Sequence, residues 1–305
     1  MNPVSNERGM ALLLVLAITA LLAALLSELS FSTLVDLRLA ETYRDTTRAY
    51  YIAKGGIQVG QMILTDDDNA YDGFDEIWAR GISNYPVGDN GRVSIEITPV
   101  DGRLNLNKLV SHSGNIDAVM KDRCLRLFDI LEISQPQSHV DALIDWLDPD
   151  DDPQPGGAEA GYYALQTPAS YCKNGPMDTL NELQLIAGFT QEEIKKLRPH
   201  VSLYGDSKIH LNSASAEVLY SLSEEMDMDK AETIVRQRKD RPFESVEELK
   251  ELPDWESFYW AINGYLQVKA DYYQIDTLAG VNDGQRRAQA TVEKENNRIA
   301  YFEIR

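Results

Sequence analysis

The sequence predicts an α+β protein in which a long N-terminal helix packs on a small antiparallel sheet, and a large all-α insertion interrupts that sheet. Three observations predict this class. Residues 10–64 contain no Pro and carry an apolar and then an amphipathic helical pattern. Strand-like alternation occurs in 92–100 and again within 272–304, and the residues between these regions, 103–267, have helical periodicity.

The first element covers residues 10–27. These residues include no charged side chain, Leu and Ala dominate them, and at about 1.5 Å per residue they span roughly 27 Å, close to the ~30 Å hydrocarbon core of a bilayer. A helix that is apolar on every face favours a transmembrane segment. A secretory signal peptide is an alternative, but its apolar region is shorter and a cleavage site follows it directly. We therefore predict one membrane-spanning helix.

The same helix is predicted to continue to residue 64. Tyr50, Ala53, Ile57, Gly60 and Leu64 recur at helical spacing and form one apolar stripe. An unbroken helix over 10–64 would be about 80 Å long. Its first half would lie in a membrane or a packed fibre, and its second half would be the spine of a soluble head.

Strand patterns on both sides of the insertion assign 65–103 and 268–305 to one α+β domain. Residues 92–100 and 272–277 alternate with period two, and 288–294 and 298–304 flank a turn at Asn296 and Asn297. Turn-forming residues predict an irregular segment over 70–91. The insertion, 104–267, would therefore leave and re-enter a single sheet.

The insertion contains an internal repeat that divides it into units of about 104–205 and 206–267. Leu104-Asn105-Leu106-Asn107 recurs as Ile209-His210-Leu211-Asn212, and residues 179–183 recur as 245–249. The second unit resembles small helix-hairpin-helix or SAM-like folds, including those of DNA-uptake proteins. The resemblance implies two such units in the insertion.

Nucleic-acid binding is the alternative function that this resemblance raises. A DNA-binding hairpin needs a Gly-rich turn whose backbone amides reach phosphate. The corresponding turn, 223–229, has no glycine and four carboxylates, and the chain carries a net charge of −20, so both would repel a phosphate backbone. We therefore predict no nucleic-acid partner.

The two cysteines, Cys124 and Cys172, leave two alternatives open. In an oxidising compartment they could form a disulfide that closes a loop of about 50 residues and stabilises the fold by ~2–4 kcal/mol, or they could be two separate buried thiols. No nucleophile motif and no Gly-rich phosphate loop stands out in the sequence. We therefore expect a protein that is not an enzyme.

The most distinctive stretch of the soluble part is 141–159, which concentrates carboxylates around Pro and Gly residues. Such a concentration is unfavourable unless solvent or a cation offsets the repulsion, and Ca²⁺ takes six to eight oxygen ligands. The spacing differs from that of an EF-hand, and a solvated acidic loop is the alternative to a metal site. The candidate metal ligands are Asp145, Asp148, Asp150, Asp151, Asp152 and Glu159.

The start of the chain resembles type IV pilin-like proteins. A short polar leader, residues 1–9, ends in Gly9, and the apolar run begins at once with Met10. The resemblance implies that a prepilin peptidase cuts after Gly9 and that Met10 becomes the methylated N-terminus. Most such proteins carry Glu at the fifth mature position, but here that position is Leu14.

This departure, together with the insertion and the acidic stretch, resembles the K-type minor pseudopilins of type II secretion systems. The run 145–163 is similar to the calcium-binding loop of that family, so the resemblance implies a structural calcium ion. The family resemblance further implies one pass through the bacterial inner membrane and a periplasmic head. It also implies a position at the pseudopilus tip, where the chain would help to initiate and cap the fibre during protein secretion across the outer membrane.

The partners implied are the I- and J-type minor pseudopilins, the inner-membrane secretion machinery and the prepilin peptidase. The alternative is a minor pilin of a type IV pilus or a DNA-uptake system, with periplasmic DNA binding by the hairpin-like unit.

Overall fold

A computed structural model describes residues 7–253 and 255–305. The helices are α1 Glu7–Thr65, α2 Ile77–Arg80, α3 Ala118–Ile130, α4 Pro136–Leu147, α5 Ala160–Ala164, α6 Gln191–Leu197, α7 Ala216–Ser221, α8 Met228–Asp240 and α9 Glu256–Ile262. The strands are β1 Ile82–Val87, β2 Gly91–Pro99, β3 Leu104–Asn105, β4 Val201–Ser202, β5 Ile209–His210, β6 Leu266–Gln267, β7 Tyr272–Val281, β8 Gly284–Glu293 and β9 Arg298–Ile304.

Helix α1 is one continuous helix of 59 residues. By length and composition it can cross a membrane, and its most apolar window is not buried against any other part of the chain. Of the predicted leader, residues 1–6 lie outside the described residues, and Gly9 and Met10 both lie within α1. Cleavage between them stays a prediction.

The five longest strands form one antiparallel sheet in the order β1-β2-β7-β8-β9. The second half of α1 covers one face of this sheet, and Ala49, Ala53 and Ile57 are fully buried there. Helix and sheet approach closely because the contact positions on α1 include glycine: a Cβ at Gly60 would lie 2.7 Å from Ile275 Cγ2. The long helix and the antiparallel sheet confirm the predicted α+β class.

The prediction that 70–91 is irregular was wrong. This segment contains α2 and the edge strand β1, which pairs with β2. Strand β1 has no alternating apolar pattern because all its side chains are exposed or half-exposed, and it includes Pro86, which an edge position tolerates. Its pairing with β2 therefore left no signal in the sequence.

The insertion leaves the sheet after β2 and returns at β7, which is the hydrogen-bonded neighbour of β2. The two repeats adopt the same local structure: β3 pairs in parallel with β4, and β5 pairs in parallel with β6. Each repeat also has a short 3-10 helix that starts with a capping box, at Thr179 and Glu182 in the first and at Ser245 and Glu248 in the second. The assignment of these units to the SAM-like fold stays a prediction.

The buried apolar residues form two cores. One lies between α1 and the sheet, and the other runs continuously through both repeats, from Leu104 to Leu266. The second core gives the insertion its own framework, on which the acidic stretch is placed.

Candidate metal centre

Three of the six predicted ligands meet at the end of α4. Asp145 belongs to the last turns of this helix, Asp148 follows its final residue, and Glu159 precedes α5. One oxygen of each carboxylate lies within 4.8 Å of the others. We call Asp145, Asp148 and Glu159 the loop carboxylate group.

Local sequence explains how these side chains converge. Asp145 and Asp148 are three residues apart, which places them on neighbouring positions of one helix face. Pro149 follows Asp148, and the Gly156-Gly157 turn lets the chain come back over α4 to Glu159. A side chain at Gly157 would overlap Oδ2 of Asp145, so glycine is required for this close approach.

The loop carboxylate group is buried, with side chains only 0–6 % exposed. Asp145 Oδ1 accepts a hydrogen bond from the Gln154 N–H at 3.0 Å. Asp145 Oδ2, Asp148 Oδ1 and both oxygens of Glu159 are buried without a hydrogen-bond partner among the described residues. A buried carboxylate without a partner is costly, so this arrangement calls for a positive charge.

The pKa values of these three carboxyl groups also indicate that a nearby positive charge would stabilise the group. Burial, followed by repulsion from neighbouring carboxylates, raises the pKa of Asp148 to about 6 and that of Glu159 to about 7. Burial also raises the pKa of Asp145 above its usual value. Ion pairs of Lys or Arg with these three residues are absent from the described part of the chain, whereas Asp141 on the same helix pairs with Lys121 at 3.1 Å. The donors are all carboxylate oxygens, the ligand type that Ca²⁺ prefers, so the residues present fit such a cation.

Asp150, Asp151 and Asp152 are exposed and lie outside the loop carboxylate group. Asp150 Oδ1 accepts a hydrogen bond from the Asp152 N–H at 2.9 Å, and Asp151 Oδ1 accepts one from Asn174 Nδ2 at 3.1 Å. Asn174 also donates to the Asp150 carbonyl at 2.7 Å. These contacts hold the acidic loop. Asn174 is 23 residues from Asp151 in the sequence, so no local pattern marks it as part of this loop.

Cys124 and Cys172 are free, buried thiols, which is one of the two alternatives that the sequence left open. Cys124 lies in the core of the insertion, and Cys172 donates a hydrogen bond to the Asp145 carbonyl at 3.3 Å. The two thiols are therefore built into different contacts. Burial raises the pKa of each to about 12.

A second group of converging carboxylates lies where the insertion meets the sheet. It consists of Asp67, Asp72 and Glu76, which we call the junction carboxylate group. Lys294 Nζ lies 2.7 Å from Asp67 and 3.1 Å from Asp72, so the chain itself supplies a cation here.

The turn at 223–229, which corresponds to the phosphate-binding turn of DNA-binding hairpins, connects α7 and α8. Glu224 and Glu225 are exposed there, and Asp227 caps α8 by accepting a hydrogen bond from the Lys230 N–H at 2.8 Å. Negative side chains thus occupy the place where backbone amides would face phosphate in such a hairpin.

Comparisons with known proteins give one consistent family. Two models with the description "Type II secretion system (T2SS), protein K" match residues 102–206 and 209–269, together more than half of the chain. The type II secretion system protein K of Pseudomonas aeruginosa is 28 % identical over 303 residues, which cover 95 % of this chain and 89 % of that protein. The protein of the same name from Aeromonas hydrophila is 24 % identical over 317 residues, covering 96 % and 95 % respectively.

A solved structure has the same fold. The chain is similar to one chain of the crystal structure of the GspK-GspI-GspJ complex from the enterotoxigenic Escherichia coli type 2 secretion system, with a TM-score of 0.74 and 16 % sequence identity. The match covers 88 % of this chain and 99 % of that one. With the family models spanning both repeats of the insertion and relatives aligned along nearly the whole length, this chain belongs to the type II secretion system protein K family.

Proposed function

We propose that this chain is the minor pseudopilin at the tip of a type II secretion pseudopilus, where it helps to initiate and cap the fibre. In this proposal α1 anchors the chain in the inner membrane before assembly, and the head lies in the periplasm. The I- and J-type minor pseudopilins are its neighbours, since a relative of the same fold was crystallised in a complex with GspI and GspJ. The role is structural and not catalytic.

The observation that carries the proposal is the contrast between the two halves of α1. Leu12, Leu16 and Leu29 are each more than 60 % exposed in the isolated chain, so the first half needs lipid or neighbouring helices to cover it. The second half is covered on one side by the sheet. Leu14 requires no cationic neighbour, whereas a glutamate at this position in a helical bundle would require one. A subunit with no such requirement suits the end of the fibre.

In this proposal the insertion is the part of the chain that prevents further subunits from adding to the fibre tip. Because β2 and β7 are hydrogen-bonded neighbours, residues 104–267 can be replaced by a short turn without breaking the core between α1 and the sheet. In cells lacking the native protein, this shortened chain should support fibres that are longer than those made with the full chain. Equal fibre lengths for the two chains would overturn the capping role.

Processing of the N-terminus has an independent test. We propose that a prepilin peptidase cuts between Gly9 and Met10 and that Met10 is then methylated. Mass spectrometry should find a methylated Met10 N-terminus only in cells that contain the peptidase. An uncut chain in those cells would remove the pilin-type part of the proposal.

We further propose that the loop carboxylate group binds a structural calcium ion. Asp145, Asp148 and Glu159 would hold the ion, and the support is their set of buried oxygens without partners. When bound, the ion supplies positive charge and joins α4 to the start of α5. The exposed Asp150, Asp151 and Asp152 add negative potential around the site.

A further inference from the structure

A cleft of about 250 Å³ lies between the first repeat of the insertion and the face of the sheet that α1 does not cover. Its floor includes polar side chains of the sheet such as Gln274 and Gln289, and its other wall includes Leu180 and Tyr204 from the insertion. The cleft is thus built by two parts of the chain that the fold brings together.

Three arginines line this cleft: Arg103, Arg198 and Arg305. Arg305 pairs with Glu303 at 2.7 Å. Arg103 donates only a long hydrogen bond of 3.4 Å to Gln274 Oε1, and Arg198 donates one of 2.6 Å to Asn181 Oδ1. Within residues 7–253 and 255–305, neither Arg103 nor Arg198 has a carboxylate oxygen at ion-pair distance.

The carboxylates of the cleft are already engaged. Asp178 pairs with Lys173 at 2.6 Å, and Glu303 pairs with Arg305 and accepts a hydrogen bond from the Tyr301 hydroxyl at 3.0 Å. Asp276, which interacts with Arg103 at longer range, accepts a hydrogen bond from Gln274 Nε2. The lining of the cleft thus has three arginines against two carboxylates, in a chain whose net charge is −20.

The poorly solvated charge of Arg103 has a free-energy cost that an anionic ligand would reduce. Burial lowers the pKa of Arg103 below its usual value, which means that its charged form is poorly solvated. The planar guanidinium group matches a carboxylate through paired hydrogen bonds. Asp178 and Glu303 on the walls would repel a phosphate group, which concentrates two negative charges, more strongly than one carboxylate group, which carries a single charge.

We propose that this cleft binds a carboxylate group through Arg103 and Arg198. The carboxylate can belong to an acidic side chain of another polypeptide or to a small free dicarboxylate, and the experiment below separates these sources. The site is distinct from the loop carboxylate group and does not depend on calcium.

The test is equilibrium dialysis of the full chain in detergent micelles against four labelled probes. The probes are acetyl-Ala-Glu-Ala-amide, its Gln counterpart, succinate and inorganic phosphate. The Glu peptide should bind and the Gln peptide should not if the source is a polypeptide, whereas binding of succinate alone would assign a small dicarboxylate. Binding of neither carboxylate above the Gln peptide, or tighter binding of inorganic phosphate, would overturn the proposal.

Variants locate the binding in the cleft. Arg198→Gln is suitable because Arg198 is exposed and its loss leaves the core intact, and it should weaken binding about tenfold or more, as expected for one charge-assisted hydrogen bond. Arg103→Gln should weaken binding at least as much. Arg236→Gln is the matched control, because Arg236 is an exposed arginine on α8 away from the cleft and should bind like the native chain. Equal binding by Arg198→Gln and the native chain would place the carboxylate elsewhere.

Discussion

The junction carboxylate group and the loop carboxylate group both bring three acidic side chains close together, but they differ in how the repulsion between the negative charges is offset. In the junction carboxylate group, Lys294 reaches two of the three members at 2.7 and 3.1 Å. Burial would raise the pKa of Asp72, but its hydrogen bonds, including that from the Ala270 N–H, and the charge of Lys294 hold it below the usual value. In the loop carboxylate group, burial and mutual repulsion raise the pKa of Glu159 to about 7.

The difference distinguishes an ion-pair network, whose cation comes from the chain itself, from a candidate metal site. Both groups are acidic and both bring carboxylate oxygens within 4.8 Å. Only the loop group has oxygens on all three members that are buried and unpartnered within the described chain. The acidity of a cluster is therefore less informative than the presence or absence of a cation from the chain itself.

The largest expected effect comes from removing the cation of the junction group. Lys294→Met should lower the free energy of unfolding by about 3–5 kcal/mol, because it leaves the buried Asp72 and the half-buried Asp67 without a cationic partner. Arg298→Met, which removes a surface pair with Glu293, should lower it far less, because solvent screens an exposed ion pair. Urea denaturation of the chain in detergent measures both, and equal losses would contradict the comparison.

Removing calcium should have the next largest effect. Calcium at a hundred times its Kd would stabilise the fold by about 2.7 kcal/mol, so a chelator should lower the melting temperature by several degrees. The response should be lost in Asp145→Asn and retained in Lys294→Met. A native chain whose melting is unchanged by the chelator would show that the loop group holds no stabilising ion.

The effect of Glu159→Gln on stability at pH 8 should change sign with calcium. In chelator, the folded pKa of Glu159 is about 7 against an ordinary value of 4.5, so the native chain loses stability as the pH rises through this interval. At pH 8 in chelator the variant should therefore be more stable than the native chain by roughly 2 kcal/mol. With calcium the order should reverse, because the variant loses a ligand. Calorimetry at pH 5 and pH 8 checks this, and the same order under all conditions would be evidence against the assignment.

The smallest effect is expected from Gly157→Ala. The added methyl group overlaps Asp145 Oδ2 and must displace it, which should reduce the calcium-dependent stabilisation by about 1–2 kcal/mol. Gly161→Ala is the matched control, since a Cβ at Gly161 meets no other atom within 4 Å. Thermal melts of both variants with and without calcium make the comparison, and a native response in Gly157→Ala would mean that the position of Asp145 is not critical.

Sequence reasoning found much of the fold because its signals are local. The apolar run and stripe of α1 and the alternation in β2, β8 and β9 each report burial along a single element. Strand β1 was not predicted, because an exposed edge strand has no alternating apolar pattern. The capping boxes at Thr179 and Ser245 lie in the segments that the repeat singled out.

Three of the six candidate metal ligands come together in the structure. The acidic stretch pointed to six ligands, but the backbone turn at Gly156-Gly157 buries only Asp145, Asp148 and Glu159 and leaves the other three in solvent. The choice between a disulfide and two separate thiols stayed open in the sequence for a related reason. Sequence spacing allowed Cys124 and Cys172 to meet, yet packing assigned each thiol to its own surroundings.

The sequence by itself determined the membrane-competent helix, the α+β class, the repeated insertion and the acidic segment that contains the loop carboxylate group. Only the tertiary structure decided which charges are compensated. Lys294 and Asp72 are 222 residues apart, and Arg103 and Arg198 share a cleft only after the insertion has folded onto the sheet. The physical reason is that periodicity encodes the burial of each element along the chain, whereas the cost of a buried charge depends on neighbours that long-range packing alone brings into place.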